Sequence, residues 1–251
     1  MKSDFKNKYF LAILSGVFLQ LLTGCTTDSY TNKNIRLKPG DLLFQTGKRD
    51  SFTDAVEKVT DGYLNAKFSH VALVARNKQG KLVVIQATDK VNVTPISDFL
   101  HKSLDKNGNP RVVAGRLIPK YRYLIPKAVA FAFKQVGKPY NDDFNINNTN
   151  AYYCSQLIYQ SYKAANDNKP LFKLYPMTFK NPDTGKIFWI WVKYFKELKS
   201  PVPQGKPGCN PGGISMSNKI KIIHAFGIPY GWTEKTVNKI NQSTAGQQYF
   251  D

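Results

Sequence analysis

The sequence predicts an α+β protein in which a mainly antiparallel sheet packs against helices. Short β-type apolar runs, linked by turn residues, fill the first half of the chain, and the period changes to about 3.6 after residue 125. Strands first and helices later, with hairpin-type links, are typical of this class. The 251 residues include 42% hydrophobic side chains, so a buried core is expected and global disorder is excluded.

Residues 1–24 are predicted to be a lipoprotein signal peptide. Three lysines precede an apolar stretch, Tyr9 to Leu22, that is too short for a comfortable membrane span. Leu22-Thr23-Gly24-Cys25 follows and resembles a bacterial lipobox, in which the thiol of the cysteine carries the lipid. The alternative is a plain secreted protein in which Cys25 is incidental. The sequence therefore predicts a protein of the cell envelope, anchored by a lipid on Cys25.

The net charge of +19 takes its meaning from that location. Lysine and arginine are dispersed, without a block of five or more, so a basic surface near anionic lipids or cell-wall polymers is expected rather than a nucleic-acid partner. Thr26, and not Asp, follows Cys25, which favours the periplasmic side of the outer membrane if the source is Gram-negative.

A folded domain is predicted over residues 35–251, after a flexible polar tether over 25–34. In its first half, a Pro-Gly turn opens a strand at 37–44, and a helix is placed at 52–64. A clear hairpin follows, with strands at 68–75 and 81–88, and two more strands are placed at 91–94 and 111–118. Its second half contains helices at 126–137 and 154–165. Residues 188–198 fit strand or helix, 199–213 are expected to be loop, and the polar C-terminus is expected to fray.

A cysteine stands where a loop gives way to a predicted helix, in Tyr152-Tyr153-Cys154-Ser155. The N-terminus of a helix carries partial positive charge and free N–H groups, which favour a thiolate and can stabilise an oxyanion. Cys154 is therefore a candidate nucleophile, and a small buried cysteine that packs the first turn is the alternative.

A histidine in an apolar strand offers a general base. If residues 78–80 form a three-residue hairpin loop with Gly80 in the left-handed conformation, His70 lies opposite Thr88 and Gln86 is its diagonal neighbour on the same face. The amide of Gln86 can then orient the imidazole. A loop with an even number of residues would turn Gln86 to the other face, and Asp89 is then the substitute.

Five ordered motifs resemble the permuted papain-like amidases of the YaeF/YiiX type, within the wider NlpC/P60 group. They are Leu-Lys-Pro-Gly-Asp-Leu-Leu-Phe (37–44), Phe-Ser-His-Val-Ala-Leu-Val (68–74), Val-Ile-Gln-Ala (84–87), Val-Gly-Lys-Pro-Tyr-Asn (136–141) and Tyr-Tyr-Cys-Ser-Gln-Leu-Ile (152–158). The later segment 207–215 is similar to the tail of lipoprotein members.

The resemblance implies a circularly permuted papain-like fold, with Cys154 as nucleophile and His70 as base. The third member of such sites is commonly Glu, whereas this chain has Gln86, which can orient an imidazole but cannot stabilise an imidazolium by charge. Tyr153 is a candidate oxyanion donor or substrate contact. No cofactor is expected.

A possible disulfide and a pair of acidic residues are also considered. Cys154 and Cys209 can pair in an oxidising compartment, which would remove the nucleophile. Asp142-Asp143 fits a solvated turn better than a metal site, because no companion ligand spacing accompanies it. His101 and His224 are interpreted as ordinary residues, and no metal is expected.

The predicted function is a membrane-anchored cysteine amidase or peptidase that acts on cell-envelope peptides. One alternative is a lipid or fatty-acyl hydrolase or acyltransferase, which a deep apolar tunnel would favour over an open polar groove. The other is a non-catalytic envelope-binding lipoprotein, which the substitution of Gln for Glu keeps open.

Overall fold

The computed structural model describes residues 31–32, 35–47 and 51–245. The predicted signal peptide and the lipidation site at Cys25 lie outside these residues, as does most of the predicted tether. Ten strands are described: β1 Thr31–Asn32, β2 Ile35–Arg36, β3 Leu42–Gln45, β4 His70–Arg76, β5 Leu82–Ala87, β6 Val91–Pro95, β7 Val112–Leu117, β8 Tyr175–Pro176, β9 Pro207–Gly208 and β10 Ile220–Ala225. Seven α-helices accompany them: α1 Ser51–Val59, α2 Ile96–His101, α3 Ile125–Lys134, α4 Cys154–Ala165, α5 Trp189–Glu197, α6 Pro211–Ser215 and α7 Glu234–Ala245.

Six strands form one antiparallel sheet in the order β10-β7-β3-β4-β5-β6. Its two faces bury different residues, as the alternation of side chains along a strand requires. Leu73 and Ile85 face the core that α3 and α4 cover, whereas Ala72 and Val84 face the core that α2 covers with Phe99. The predicted α+β class with a mainly antiparallel sheet is confirmed.

The hairpin of β4 and β5 has the predicted register. Gly80 has a φ of 76°, and the backbone N–H of Asn77 donates to the carbonyl of Lys81 at 2.9 Å. Leu73 therefore pairs with Ile85, and His70 and Gln86 lie on the same face. This register decides which side chains can reach His70.

In the second half, one open prediction is decided and two others differ from the structure. Residues 188–198, which fit strand or helix, contain helix α5 over Trp189–Glu197, because Trp191 and Phe195, four residues apart, bury one face against α1. Residues 199–213 contain β9 and the start of α6 rather than loop alone. The C-terminus carries α7, which packs against β10 through Val237 and Ile240, although most of the helix is polar.

A buried ion pair ties the β3 end of the sheet to β7. Arg116 donates to both carboxylate oxygens of Asp41, at 2.6 and 2.8 Å, and the backbone N–H of Lys38 adds a third hydrogen bond at 2.8 Å. The hydroxyl of Tyr162 on α4 donates to the carbonyl of Gly40 at 3.2 Å, so the helix that begins at Cys154 is held against the same turn. Among the described residues, no helix is both long and apolar enough to cross a membrane.

Candidate active site

Cys154 is the first residue of α4, as predicted, and its side chain is buried. The helix start is held by Gln156, whose side-chain carbonyl accepts the backbone N–H of Tyr153 at 3.2 Å. Asn141 donates to the same carbonyl at 2.8 Å, and the amide of Gln156 donates to the carbonyl of Asn148 at 2.7 Å. The loop before the helix and the first helical turn are therefore one hydrogen-bonded unit around the thiol.

The thiol of Cys154 is not the low-pKa thiolate that the helix start alone predicts. Burial raises its pKa to about 11, although the backbone N–H groups of Val71 and Ser155 donate to the sulfur and lower it. Desolvation of the charged form outweighs the helix terminus at this position. At neutral pH the resting site therefore contains a thiol.

His70 begins β4 and is half-buried beside Phe99, with ring centroids 6.0 Å apart. Its Nε2 lies 2.7 Å from Oε1 of Gln86, so the neighbour predicted from the hairpin register contacts the imidazole. Burial lowers the pKa of His70 to about 4; the contact with Gln86 opposes this, and the charge of Lys102 adds to it. Asp89 is exposed and bonds to Thr88, so it does not contact the imidazole directly.

The thiol of Cys154 lies against the start of β4, the strand that begins with His70. The sulfur of Cys154 accepts the backbone N–H of Val71, which directly follows His70 in the chain. Within the described part of the chain, the hydrogen bonds of His70 and Cys154 do not join the two side chains. Catalytic hydrogen bonds are often long before substrate binds and tighten in the complex.

A cavity of about 150 Å³ opens beside Cys154. Most of its wall is apolar or aromatic and includes Val59, Tyr140, Phe144, Met177, Phe179 and Trp191. Phe144, Phe179 and Trp191 also belong to the aromatic cluster between α1 and α5. The site therefore offers an apolar pocket to one side of Cys154.

Two residues of the cavity wall had no role in the predicted site, and Cys209 was considered only as a disulfide partner of Cys154. Tyr140 has a pKa well above its usual value, first because of burial and then because of the nearby Cys154 and Tyr194. Cys209 arrives from a distant segment, and burial raises the pKa of its thiol to about 12. Tyr140 stands in a motif that was noted without a role for this residue, and the possible pairing with Cys154 was the only signal that Cys209 lies near the site.

Tyr153 lines the same cavity, and its hydroxyl is directed at Cys209. It accepts the backbone N–H of Cys209 at 3.4 Å and lies 3.7 Å from the sulfur. Cys154 and Cys209 are both free thiols in the structure, so the disulfide considered from the sequence is not formed there.

Asp142 and Asp143 are exposed, as predicted for a solvated turn, and the hydroxyl of Tyr194 donates to Asp142 at 3.0 Å. The described residues contain no cluster of three or more His, Cys, Asp or Glu that could hold a metal ion. His101 is exposed, whereas His224 is buried.

Comparison with known proteins found a matching family and a solved structure with a similar fold. The model of the family described as permuted papain-like amidase enzyme, YaeF/YiiX, C92 family, matches residues 36–224. A crystal structure titled metalloprotein yiiX from Escherichia coli O157:H7 is similar, with a TM-score of 0.59 and 18% identity over 76% of this chain and 98% of that one. No curated protein matches the chain.

Proposed function

The chain belongs to the permuted papain-like amidase family, and from that premise we propose that it hydrolyses amide bonds through Cys154, with His70 as general base and Gln86 as the residue that orients it. The observation that carries the assignment is the meeting of two elements distant in sequence. The sulfur of Cys154, at the start of α4, accepts the backbone N–H of Val71, the residue after His70. The imidazole of His70 is hydrogen-bonded to Gln86.

In the proposed mechanism, both partners are neutral before reaction. His70 accepts the thiol proton as the sulfur attacks the carbonyl carbon, and the imidazolium then protonates the leaving amine. The backbone N–H groups at the start of α4 and the hydroxyl of Tyr140 stabilise the oxyanion, while Tyr153 contacts the substrate. Water, activated by the same imidazole, releases the acid and restores the thiol.

The wall of the cavity favours substrates with an apolar group on one side of the scissile bond. Polar peptide groups would lose hydrogen bonds to water against Phe144, Phe179 and Trp191, whereas an apolar acyl or side chain would gain about 25 cal/mol per Å² buried. An acyl-amide or acyl-ester hydrolase is therefore the second candidate, carried by this lining. Cell-envelope peptides remain the substrates that the predicted location favours.

Turnover of two series of fluorogenic amides, apolar acyl and polar peptidyl, tests the proposal. We expect Cys154→Ser and His70→Gln each to lower kcat by about 10³-fold or more, and Cys209→Ser, which removes the other thiol of the cavity, to keep turnover. Met177→Gln should raise KM for the apolar series, whereas Met216→Gln, on an exposed residue, should not. If the protein binds these amides but does not turn them over, the hydrolase proposal fails and the non-catalytic envelope-binding alternative takes its place.

We further propose that the protein is held at the cell envelope by lipid on Cys25. The lipobox-like segment and the basic composition support this. Metabolic labelling with a radioactive fatty acid should mark the full chain and not Cys25→Ser, and fractionation should find the first with membranes and the second released. Equal labelling of both would contradict the anchor.

A further inference from the structure

A continuous row of polar side chains leads from His70 across the end of the sheet. Gln86 and Asn92 are directly paired on β5 and β6, and Thr94 is the next residue of β6 on the same face. Five hydrogen bonds join the row: His70 Nε2 to Gln86 Oε1 at 2.7 Å, and then Gln86 to Thr94, Thr94 to Asn92, Asn92 to Thr88 and Thr88 to Asp89, each at 2.8 Å.

The far end of this row has a fixed direction. The carboxylate of Asp89 only accepts, so the hydroxyl of Thr88 must donate to it and is left to accept from Asn92. The second N–H of the Asn92 amide donates to the carbonyl of Lys90 at 3.1 Å. Two obligate acceptors therefore set which end of the Asn92 amide is oxygen.

That direction passes to the imidazole. Because Asn92 presents its oxygen, the hydroxyl of Thr94 donates to it and accepts from the amide nitrogen of Gln86. The oxygen of Gln86 therefore faces His70, whose Nε2 must carry the proton. In the neutral ring, Nδ1 then holds the lone pair that a base needs.

We propose that Thr94 and Asn92 are positioning residues that set the tautomer of His70 by fixing the direction of the Gln86 amide. The need for such residues arises because this chain has Gln86 where the third member of similar sites is commonly Glu. Both oxygens of a carboxylate accept, so a Glu would need no orientation, whereas an amide turned by 180° would offer N–H to Nε2 and move the imidazole proton to Nδ1. With its direction fixed by this row of hydrogen bonds, the neutral amide of Gln86 is sufficient to hold His70 in one tautomer.

The inference rests on the proposed function for its catalytic meaning, but the tautomer is measurable without any substrate. Protonated and unprotonated imidazole nitrogens resonate far apart in ¹⁵N spectra. In the full chain labelled with ¹⁵N-histidine, and with signals assigned through His70→Ala, we expect a proton on Nε2 at neutral pH. We expect Thr94→Val, which keeps the shape but removes the hydroxyl, to give a mixture of tautomers, and Thr94→Ser to restore one.

Kinetics separate positioning from a merely structural role. Thr94→Val should lower kcat by about tenfold or more with little change in KM, and Thr94→Ser should recover it. In the Gln86→Glu background the same Thr94→Val change should cost less than about twofold, since a carboxylate needs no orienting partner. Val93→Thr, on the opposite face of β6, is the matched control and should change neither the spectrum nor kcat.

Two outcomes would overturn the inference. One is a proton on Nδ1 in the unmodified protein, and the other is an unchanged single tautomer in Thr94→Val. If no substrate is turned over but the ¹⁵N spectra follow the expected pattern, the proposed function fails and the role of Thr94 in setting the tautomer stands.

Discussion

Alkylation of Cys154 tests whether the resting site contains a neutral pair. A pKa of about 11 leaves about one thiol in 1,000 ionised at pH 8, whereas an ordinary cysteine with a pKa of about 8.5 is about one quarter ionised. The fraction ionised is thus about 240-fold lower. A more basic thiolate reacts faster, with a Brønsted slope of about 0.4–0.5, so the expected labelling rate is about 20-fold below that of the ordinary cysteine.

The assay is the rate of iodoacetamide labelling between about pH 6 and pH 11, with the labelled residue mapped by mass spectrometry and a cysteine peptide as reference. We expect the rate at Cys154 to keep rising towards the pH of its pKa, and His70→Gln to give the same profile below pH 9. A plateau below about pH 7 that disappears in His70→Gln would show a thiolate–imidazolium pair and refute the argument from burial.

Three further predictions concern stability. Asp41→Asn should cost about 3–5 kcal/mol in urea unfolding, because it leaves a buried arginine without its charge partner, whereas Asp61→Asn, in an exposed ion pair, should cost less than about 1 kcal/mol; equal costs would contradict this. Burial lowers the pKa of His224 to about 4, so the unfolded chain binds the extra proton and about 3 kcal/mol is lost as the pH falls from about 6.5 to about 4. His224→Phe should remove that part of the acid slope, and an unchanged slope between pH 7 and pH 4.5 would argue against it. Gly212→Ala places a Cβ 2.2 Å from the carbonyl oxygen of Asp61 and should cost about 1–3 kcal/mol in thermal unfolding, unlike Gly213→Ala, whose nearest contact is at 3.4 Å.

Sequence reasoning succeeded where a local pattern determines the structure. The turn chemistry at Gly80 set the register of the hairpin, and the register placed Gln86 beside His70. The helical spacing of the apolar residues after Cys154 located α4, which starts at that residue. These features depend on residues within one or two elements, so a single sequence is sufficient to predict them.

The features that the sequence did not predict depend on how segments distant in the chain pack together. Cys209 reaches the cavity because β9 pairs with β8, two-residue strands that no period reveals. The pKa of Cys154 follows from how completely the loops cover it, which outweighs the helix terminus that the sequence does show. The aromatic residues of α5 fit either period, and only burial of Trp191 against α1 and its neighbours makes the segment a helix.

The neutral third member and the buried thiol lead to the same mechanistic consequence. A carboxylate at position 86 would favour the imidazolium by charge, but Gln86 offers only an oriented dipole, so a thiolate–imidazolium pair has little to offset its desolvation in this site. In the proposed mechanism the proton therefore moves from Cys154 to His70 during attack on the carbonyl. We expect a normal solvent deuterium isotope effect on acylation, greater than one, that Gln86→Glu reduces towards one. A value at or below one in the unmodified enzyme would mean that the proton has moved before attack, and the neutral-pair mechanism would fail.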